Sequence, residues 1–571
     1  MKQWLIKPQI TEESINKFPE INPVILQLLF DRGLKTQQQI DEFLYPDYSQ
    51  DVHDPYLFSQ MKPAIDRIYQ AVEKKEKVVI YGDYDADGVC GSAILSKTFK
   101  KLGLSADVYL PSRELEGYGL NEKAIKDLAK SKTNLIITVD CGISNVIEIA
   151  LANSLGLDVI ITDHHHAPIE KPKALAIIHP GLDQGYPFKN LAGGGVAFKL
   201  AQALIHDLRS LIPKQDKESF EKWLLDLVAV STVADMVPLV GENRTLVKHG
   251  LMVLSKTRNL GLQKLIEVSG INKERVDNYS IGWQIAPRIN AAGRMEHANS
   301  AFKLLTTENI EEAITIAHSL NKNNLARQAL TEKLISESLI QLGEIGERQP
   351  VLFVQGQDWP AGVIGLVASK LTNKFARPSI VLSSSADKFI ASGRSIQEFN
   401  LIEALDEFKN YLERYGGHSG AAGFTISQNQ LTVFKRKFIA YGAKKLAQAV
   451  FLPKINIDAE LKLSNTNWQL IESLLKFEPF GQENSIPRFL IRNLTVMSVD
   501  PVGNESQHLR LMVKEDNLQR KVICFGFGEA AAVLNPEDKI DIVCEVGVNE
   551  WNGNKEIQLS LVDFKHVNHN S

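Results

Sequence analysis

Cysteine is scarce and poorly placed for cross-linking. The four residues, Cys90, Cys141, Cys524 and Cys544, are scattered with no C-x-x-C pair, which argues against a zinc ribbon or a disulfide framework. No apolar run approaches the roughly 20 residues a membrane helix needs. The opening Met1-Lys2-Gln3-Trp4-Leu5-Ile6-Lys7-Pro8 has no apolar core of the secretory kind. A cytoplasmic chain with reduced thiols and no membrane contact is therefore expected. A basic excess is missing as well, the formal net charge being -4. Nucleic-acid binding is thus not advertised by bulk charge and must rest on where charge sits. Internal repeats and low-complexity stretches are also absent, so a solenoid or a disordered tail is not expected.

The 571 residues exceed what one hydrophobic core supports, and three or four domains are expected. Apolar residues at 44% and charged residues at 23% are ordinary for a globular protein. Residues 1–70 read as short helices broken at Pro8, Pro19, Pro23, Pro46, Pro55 and Pro63. Over 71–305, β-branched runs alternate with helical patterns: Val78–Tyr81, Asp107–Leu110, Leu135–Val139, Val159–Thr162 and Ala176–Ile178. Apolar strands separated by helices predict an α/β domain with a parallel sheet covered on both faces. The sequence turns mostly helical after about 195. Residues 306–345 then form a long connecting helix, free of proline. A smaller α/β domain is expected over 346–450, with strands at Val351–Val354, Ser379–Leu382 and Phe389–Ser392 and a helix near 429–447. Short strands over 451–571 (Phe489–Ile491, Leu509–Val513, Lys521–Phe525, Ile540–Cys544) predict an OB-fold-like β-barrel. Phe525, Phe527 and Trp551 are its candidate base-stacking aromatics.

Four motifs carry chemistry. In Tyr81-Gly82-Asp83-Tyr84-Asp85-Ala86-Asp87-Gly88, three carboxylates alternate at the carboxyl end of a predicted strand, where ligands of parallel sheets bind. Their mutual repulsion is relieved by a hard divalent cation. An EF-hand loop is excluded because Ile94 stands where its closing glutamate would be. Asp140 follows the next apolar strand in Val139-Asp140-Cys141-Gly142, where taken alone it reads more readily as the cap of a helix beginning near Ile143. Asp163-His164-His165-His166 follows the strand after that. Asp235 is the lone acid in the apolar run Ser231–Pro238 and needs a cation if buried. Oxygen-rich ligands with one or two histidines favour Mn²⁺ or Mg²⁺ over zinc. Five or six such ligands suit two cations sharing a carboxylate, an arrangement that serves phosphoester hydrolysis.

This series resembles the four motifs of the DHH superfamily of phosphoesterases. Leu110-Pro111-Ser112-Arg113, Glu116-Gly117-Tyr118-Gly119, Ala286–Arg294, Ala391–Ser395 and Gly416-Gly417-His418 with Ala421–Phe424 narrow it to the RecJ branch. The resemblance implies a DHH domain, a DHHA1 domain near 345–450 and an OB-fold. It implies a single-stranded-DNA-specific exonuclease that releases mononucleotides from a 5′ end, in recombination and repair, with two Mn²⁺ or Mg²⁺ ions. It also implies that Asp85 and Asp87 each ligate one metal with Asp83 nearby, and that Asp140 bridges. By the same resemblance His164 and Asp235 complete the ligands of the second metal, His165 contacts the scissile phosphate and Asp163 orients a histidine. Partners implied by the family are a single-strand-binding protein and a helicase, and a monomer is expected. One departure stands out: in Pro479-Phe480-Gly481-Gln482-Glu483-Asn484-Ser485, Glu483 and Ser485 replace residues of the family's Pro-Phe-Gly-x-Gly-Asn-Pro. The expectation is that Glu483 repels phosphates on a DNA path.

In the second α/β domain, Ser392-Gly393-Arg394-Ser395 sets hydroxyls and a guanidinium around a glycine open to close anion approach. His418 adds a cation, and Arg113, Arg288 and Arg294 are candidates for other phosphates. The rivals are an oligoribonuclease or cyclic-dinucleotide phosphodiesterase of the same superfamily, a pyrophosphatase, and a catalytically silent DNA-binding scaffold. An appended barrel argues for a longer substrate than the first two enzymes take, and every metal-ligand position is filled, against the scaffold.

Overall fold

The computed structural model describes residues 2–346, 349–385, 387–449, 451–551 and 553–567. Two compact units are present. The first gathers Met1–Asp47, Pro238–Arg244 and Pro453–Ser571; the second holds Tyr48–Val237 and Thr245–Leu452. Among the described residues no helix is long and apolar enough to cross a membrane.

The chain opens with strand β1 (Gln3–Ile6), which belongs to the first unit. The second unit is built on a sheet of β2 (Val78–Gly82), β3 (Ala106–Tyr109), β4 (Leu135–Val139), β5 (Asp158–Thr162) and β6 (Ala176–Ile178). The order is β3-β2-β4-β5-β6 and every pairing is parallel. Each residue of β2 and β4 is buried, which is why those strands read as unbroken apolar runs. The chain steps outward from β2 to β3, then crosses to the other side of β2 for β4. That reversal opens a crevice at the carboxyl ends of β2 and β4, where ligands bind in such sheets. Helices Ala86–Lys101, Gly193–His206 and Leu225–Ala234 pack with the sheet around one large core.

The expected long helix is Ile310–Leu342, 33 residues, about 50 Å at the α-helical rise. Its start is fixed by Asn309, whose side chain accepts from the backbone N–H groups of Glu311 and Glu312. Beyond it, β7 (Leu352–Gln357), β8 (Ser379–Ser385), β9 (Lys388–Arg394), β10 (Arg414–Gly417) and β11 (Ala421–Ser427) form a mixed sheet in the order β10-β11-β9-β8-β7. The β10–β11 hairpin goes beyond the strands expected from the sequence. Strand β10 is short and half glycine, so it carries no apolar alternation.

In the first unit, β12 (Lys454–Ile457) pairs in parallel with β1. The remaining strands are β13 (Ala459–Glu460), β14 (Phe489–Val502), β15 (His508–Glu515), β16 (Leu518–Cys524), β17 (Lys539–Trp551) and β18 (Asn554–His566). They follow the order β13-β14-β15-β16-β18-β17, and β14 also pairs with β17. The ring from β14 round to β17 is therefore a closed barrel, as expected of an OB-fold. Two local expectations need correction. The N-terminal segment begins with a strand because Gln3–Ile6 finds its partner only in β12. Pro63 breaks nothing: it lies in the first turn of helix Met61–Lys74, where its missing N–H goes unused.

Candidate metal centre and phosphate site

Asp83, Asp85 and Asp87 follow β2, Asp140 follows β4, and His164 and His165 follow β5. Asp235 caps the carboxyl end of helix Leu225–Ala234. Residues far apart in the chain thus meet in the crevice. Ligand atoms of Asp83, Asp85 and Asp140 lie within 4.8 Å of one another, as do those of Asp87, His164 and Asp235, and those of Asp140, His164 and His165. Nε2 of His164 is 3.1 Å from Asp140, 3.5 Å from Asp235 and 3.8 Å from Asp87.

The local folding explains this convergence. Asp85 caps the helix that carries Asp87, its Oδ1 accepting from the N–H groups of Asp87 (2.9 Å) and Gly88 (3.2 Å). Asp140 sits at φ 61, a left-handed conformation that aspartate tolerates better than most residues. The run Gly193-Gly194-Gly195 opens a helix against these acids. Gly193 and Gly194 donate backbone N–H groups to the two oxygens of Asp87, each at 2.7 Å, and Ser231 donates its hydroxyl to the same carboxylate. A Cβ at Gly193 would fall 2.5 Å from Asp140, and one at Gly194 2.3 Å from Ser231, so only glycine fits. The sequence reading missed this run, although three glycines at the start of an apolar helical pattern were a visible signal.

Electrostatics show what is unsatisfied. Burial, reinforced by neighbouring carboxylates, pushes Asp83 and Asp140 well above the usual carboxylate range. Burial and then the Asp87 charge push Asp235 up to about 9. Burial and the Asp85 charge take Asp87 to about 6 despite its three donors. Burial, helped by the charge of His165, drives His164 down to about 3 and keeps it a neutral lone-pair donor. Oδ1 of Asp83, Oδ1 of Asp140 and Nε2 of His164 are all buried without a hydrogen-bond partner. Buried lone pairs on oxygen and nitrogen that face one another fit divalent cations, which remove the repulsion and satisfy the orphaned atoms together.

His165 differs from its neighbour. Burial opposes its charge, but the Asp163 hydrogen bond and charge prevail and push it up to about 9. Oδ1 of Asp163 lies 2.9 Å from Nδ1 of His165. Despite its own burial, Asp163 is held down to about 2, chiefly by that hydrogen bond. Its other oxygen accepts from the N–H of Ile143 at 2.9 Å. The Tyr118 hydroxyl bridges Nδ1 of His165 (3.0 Å) and the carbonyl of Asp140 (3.1 Å). His165 is therefore an oriented cation beside the acids.

Next to the acids lies a group of arginines in the same unit. Arg294 is lowered to about 10 by burial and then by Arg113, Arg327 and Arg394 nearby, with Asp85 opposing. It donates to the carbonyl of Gly362 at 2.8 Å. Helix Ala361–Phe375 starts there, and a Cβ at its Gly365 would meet Ser392 at 3.1 Å and the Arg394 guanidinium at 3.2 Å. Arg113 lies 4.1 Å above the Tyr84 ring. Burial lowers Arg327 and Arg394, and among the described residues neither has a carboxylate partner. Unanswered guanidiniums beside a helix amino end suit a phosphate. Arg327, on the long helix, was not singled out from the sequence. A lone arginine on a polar helix gives no signal.

Other expectations land differently. Ser392, expected at a strand end, and Arg394 both stand on β9, so alternation turns both to one face. Gly393 faces inward, where a Cβ would meet Leu401 at 2.8 Å. Its missing side chain makes room for the core and does not serve anion approach. Arg288 is bound to Asn321 Oδ1 (3.0 Å) and the Gln284 carbonyl (2.5 Å) and stands apart from the arginine group. His418 caps the β10–β11 hairpin with its ring 6.2 Å from that of His166. In the barrel unit Phe525 is exposed and Phe527 packs against the core; the Trp551 side chain lies outside the described residues. Gly481 and Asn484 exchange backbone hydrogen bonds across a tight turn, which puts Glu483 at φ 58. Its departure from glycine thus bears on backbone strain.

Comparison with known proteins gives three family matches: the DHH family N-terminal domain over residues 77–232, the DHHA1 domain over 348–444, and the RecJ OB domain over 457–563. The chain is 38% identical over 554 residues to the single-stranded-DNA-specific exonuclease RecJ of Bacillus subtilis, covering 96% of this chain and 69% of that protein. It is similar to the crystal structure of RecJ in complex with Mn²⁺ from Thermus thermophilus, with TM-score 0.84 and 27% identity over 99% of this chain and 79% of the other. The Mg²⁺ complex of the same protein matches with TM-score 0.78 and 26% identity, covering 99% and 78%.

Proposed function

Because the chain belongs to the RecJ family, we propose that it is a single-stranded-DNA-specific exonuclease, hydrolysing phosphodiester bonds with divalent cations and releasing mononucleotides from the 5′ end. The observation that carries this reading is the meeting of orphaned carboxylate and imidazole lone pairs from separate strand ends, beside a group of buried arginines.

Asp83, Asp85 and Asp140 would hold one Mn²⁺ or Mg²⁺, and Asp87, His164 and Asp235 the second, with Asp140 shared. This assignment makes Asp83 a ligand in its own right. Asp87 keeps one lone pair for a cation, because Oδ1 accepts from two of its three donors and Oδ2 from one. Cations bound there would supply Lewis acidity and a water of lowered pKa. The protein's own groups do the rest. His165, charged and oriented by Asp163, would grip a non-bridging oxygen of the scissile phosphate. Ser392, Arg394, Arg294 and Arg327 would take the terminal phosphate, and the distance from that anchor to the metals would set the length of the fragment released. Arg113, stacked on Tyr84, would serve a neighbouring phosphate. The barrel, with Phe525 exposed, would bind the trailing strand. Family membership supports action in recombination and repair, as a cytoplasmic monomer working with a single-strand-binding protein and a helicase.

The test is time-resolved digestion of single-stranded DNA and RNA labelled at either end, in Mn²⁺, Mg²⁺ or EDTA. Early release of a 5′-labelled mononucleotide from DNA, with no cutting in EDTA, is expected. Preferential cutting of RNA, or label lost first from the 3′ end, would contradict the reading.

A further inference from the structure

Tyr279 and Trp283 expose 62% and 70% of their surfaces. Their rings are stacked, with centroids 6.0 Å apart and planes 23° from parallel. Trp283 and the residues around it, Ser280–Ile285, are wound as a π-helix, a rare local distortion frequent at functional sites. Asp277, the nearest acid on this segment, is turned back onto the helix start, its Oδ1 accepting from the Ser280 N–H (2.8 Å) and hydroxyl (2.6 Å). Arg288, one turn beyond Gln284, has no carboxylate partner among the described residues.

Two tethers place this segment at the metal centre. Gly282 packs on the helix that ends at Asp235: a Cβ there would lie 3.7 Å from Val233. Further along, Oδ1 of Asn290 accepts from the N–H of Ala86 at 2.9 Å, inside the Asp83–Asp87 loop. Asn290 follows Trp283 by seven helical positions, about 10 Å of axial rise. Met236, directly after Asp235, is 70% exposed and adds a flexible apolar side chain to the same neighbourhood.

We propose that Tyr279 and Trp283 form a ledge on which a nucleobase of single-stranded DNA stacks, in the part of the strand that remains outside the cleft. This rests on the exonuclease reading above and adds how the uncut strand is held. Every base has a π-face, so such a ledge grips DNA without selecting sequence. Arg288 would offset a backbone phosphate of the stacked nucleotide. The stacked pair keeps the rings in one orientation, which lowers the entropy lost when a base joins the stack.

The experiment measures binding of a fluorescent single-stranded oligothymidylate in EDTA, where no cutting occurs, to the full chain. Trp283→Ala should weaken binding about tenfold, the effect of losing one stacked base, and Trp283→Phe should restore most of it. With an oligonucleotide of abasic sugars, wild type and Trp283→Ala should bind alike, a result that a merely structural role would not produce. Both rings are exposed, so the variants should fold. Equal binding of the oligothymidylate by wild type and Trp283→Ala would overturn the ledge alone. A wild-type chain that neither binds nor cuts single-stranded DNA would overturn the exonuclease reading itself.

Discussion

Asp140 and Arg244 are both buried charged side chains, and they differ in how fully their surroundings answer them. Arg244, in the barrel unit, donates to the carbonyls of Phe43, Phe477, Lys476 and Glu478, each at 2.8 Å, and of Pro479 at 3.4 Å. Its guanidinium also lies 4.0 Å above the Phe43 ring. Every N–H has an acceptor, so the group organises backbone and has no capacity left for a ligand. Asp140 is surrounded by other acids and keeps an oxygen without a donor. A satisfied buried charge marks architecture, and an unsatisfied one marks chemistry.

Substitutions at the two sites should fail in opposite ways. Asp140→Asn keeps the shape and the left-handed backbone, yet should lower kcat/KM by about 10³-fold or more, the scale for removing a key electrostatic group. Its melting temperature without metal should equal or exceed that of the wild type, because a repelled buried charge is gone. Arg244→Met should take the guanidinium donors from five carbonyls, of which those of Phe477 and Pro479 keep the Asn484 amide, and cost about 3 kcal/mol in urea unfolding. Cleavage per folded molecule should stay near wild type. Melting temperatures and single-turnover rates on both variants check the contrast.

The contrast sharpens with pH. Asp235 and His165 titrate near 9 in the folded chain, above their unfolded values of about 3.9 and 6.5. The folded state then binds more protons than the unfolded one, so stability falls as pH rises. Metal-stripped protein should therefore lose melting temperature steadily between about pH 6.5 and 9. Below about 6.5 the neutral His164, held near 3, begins to act in the opposite direction. Saturating Mn²⁺ should remove the Asp235 part of the decline, because that ligand then stays deprotonated without repulsion. The smallest effect belongs to the barrel unit. Glu483→Gly relieves a left-handed non-glycine residue and should stabilise by about 0.5–1 kcal/mol, read from the urea midpoint.

The metal acids were legible in the sequence because each follows an apolar strand, and the parallel sheet turns those strand ends toward one crevice. Long helix Ile310–Leu342 was legible from its unbroken period and its missing prolines. Strand β1 and the β10–β11 hairpin were not, since their partners, not their composition, make them strands. The roles of Gly193, Gly194 and Ser231 around Asp87 stayed hidden for a related reason. Close approach is a property of two segments: the run of three glycines was visible, but neither it nor a serine reveals its opposite number. Arg327 and the Tyr279–Trp283 pair likewise gain meaning only from what stands beside them.

The most direct measurement is the number of Mn²⁺ ions bound per chain, by calorimetric titration of chelator-stripped protein near pH 8. Two ions should bind to the wild type, and at most one to Asp140→Asn with the same fold. Full activity with one ion or none, or two ions held equally by the Asp140→Asn variant, would contradict the shared-carboxylate centre.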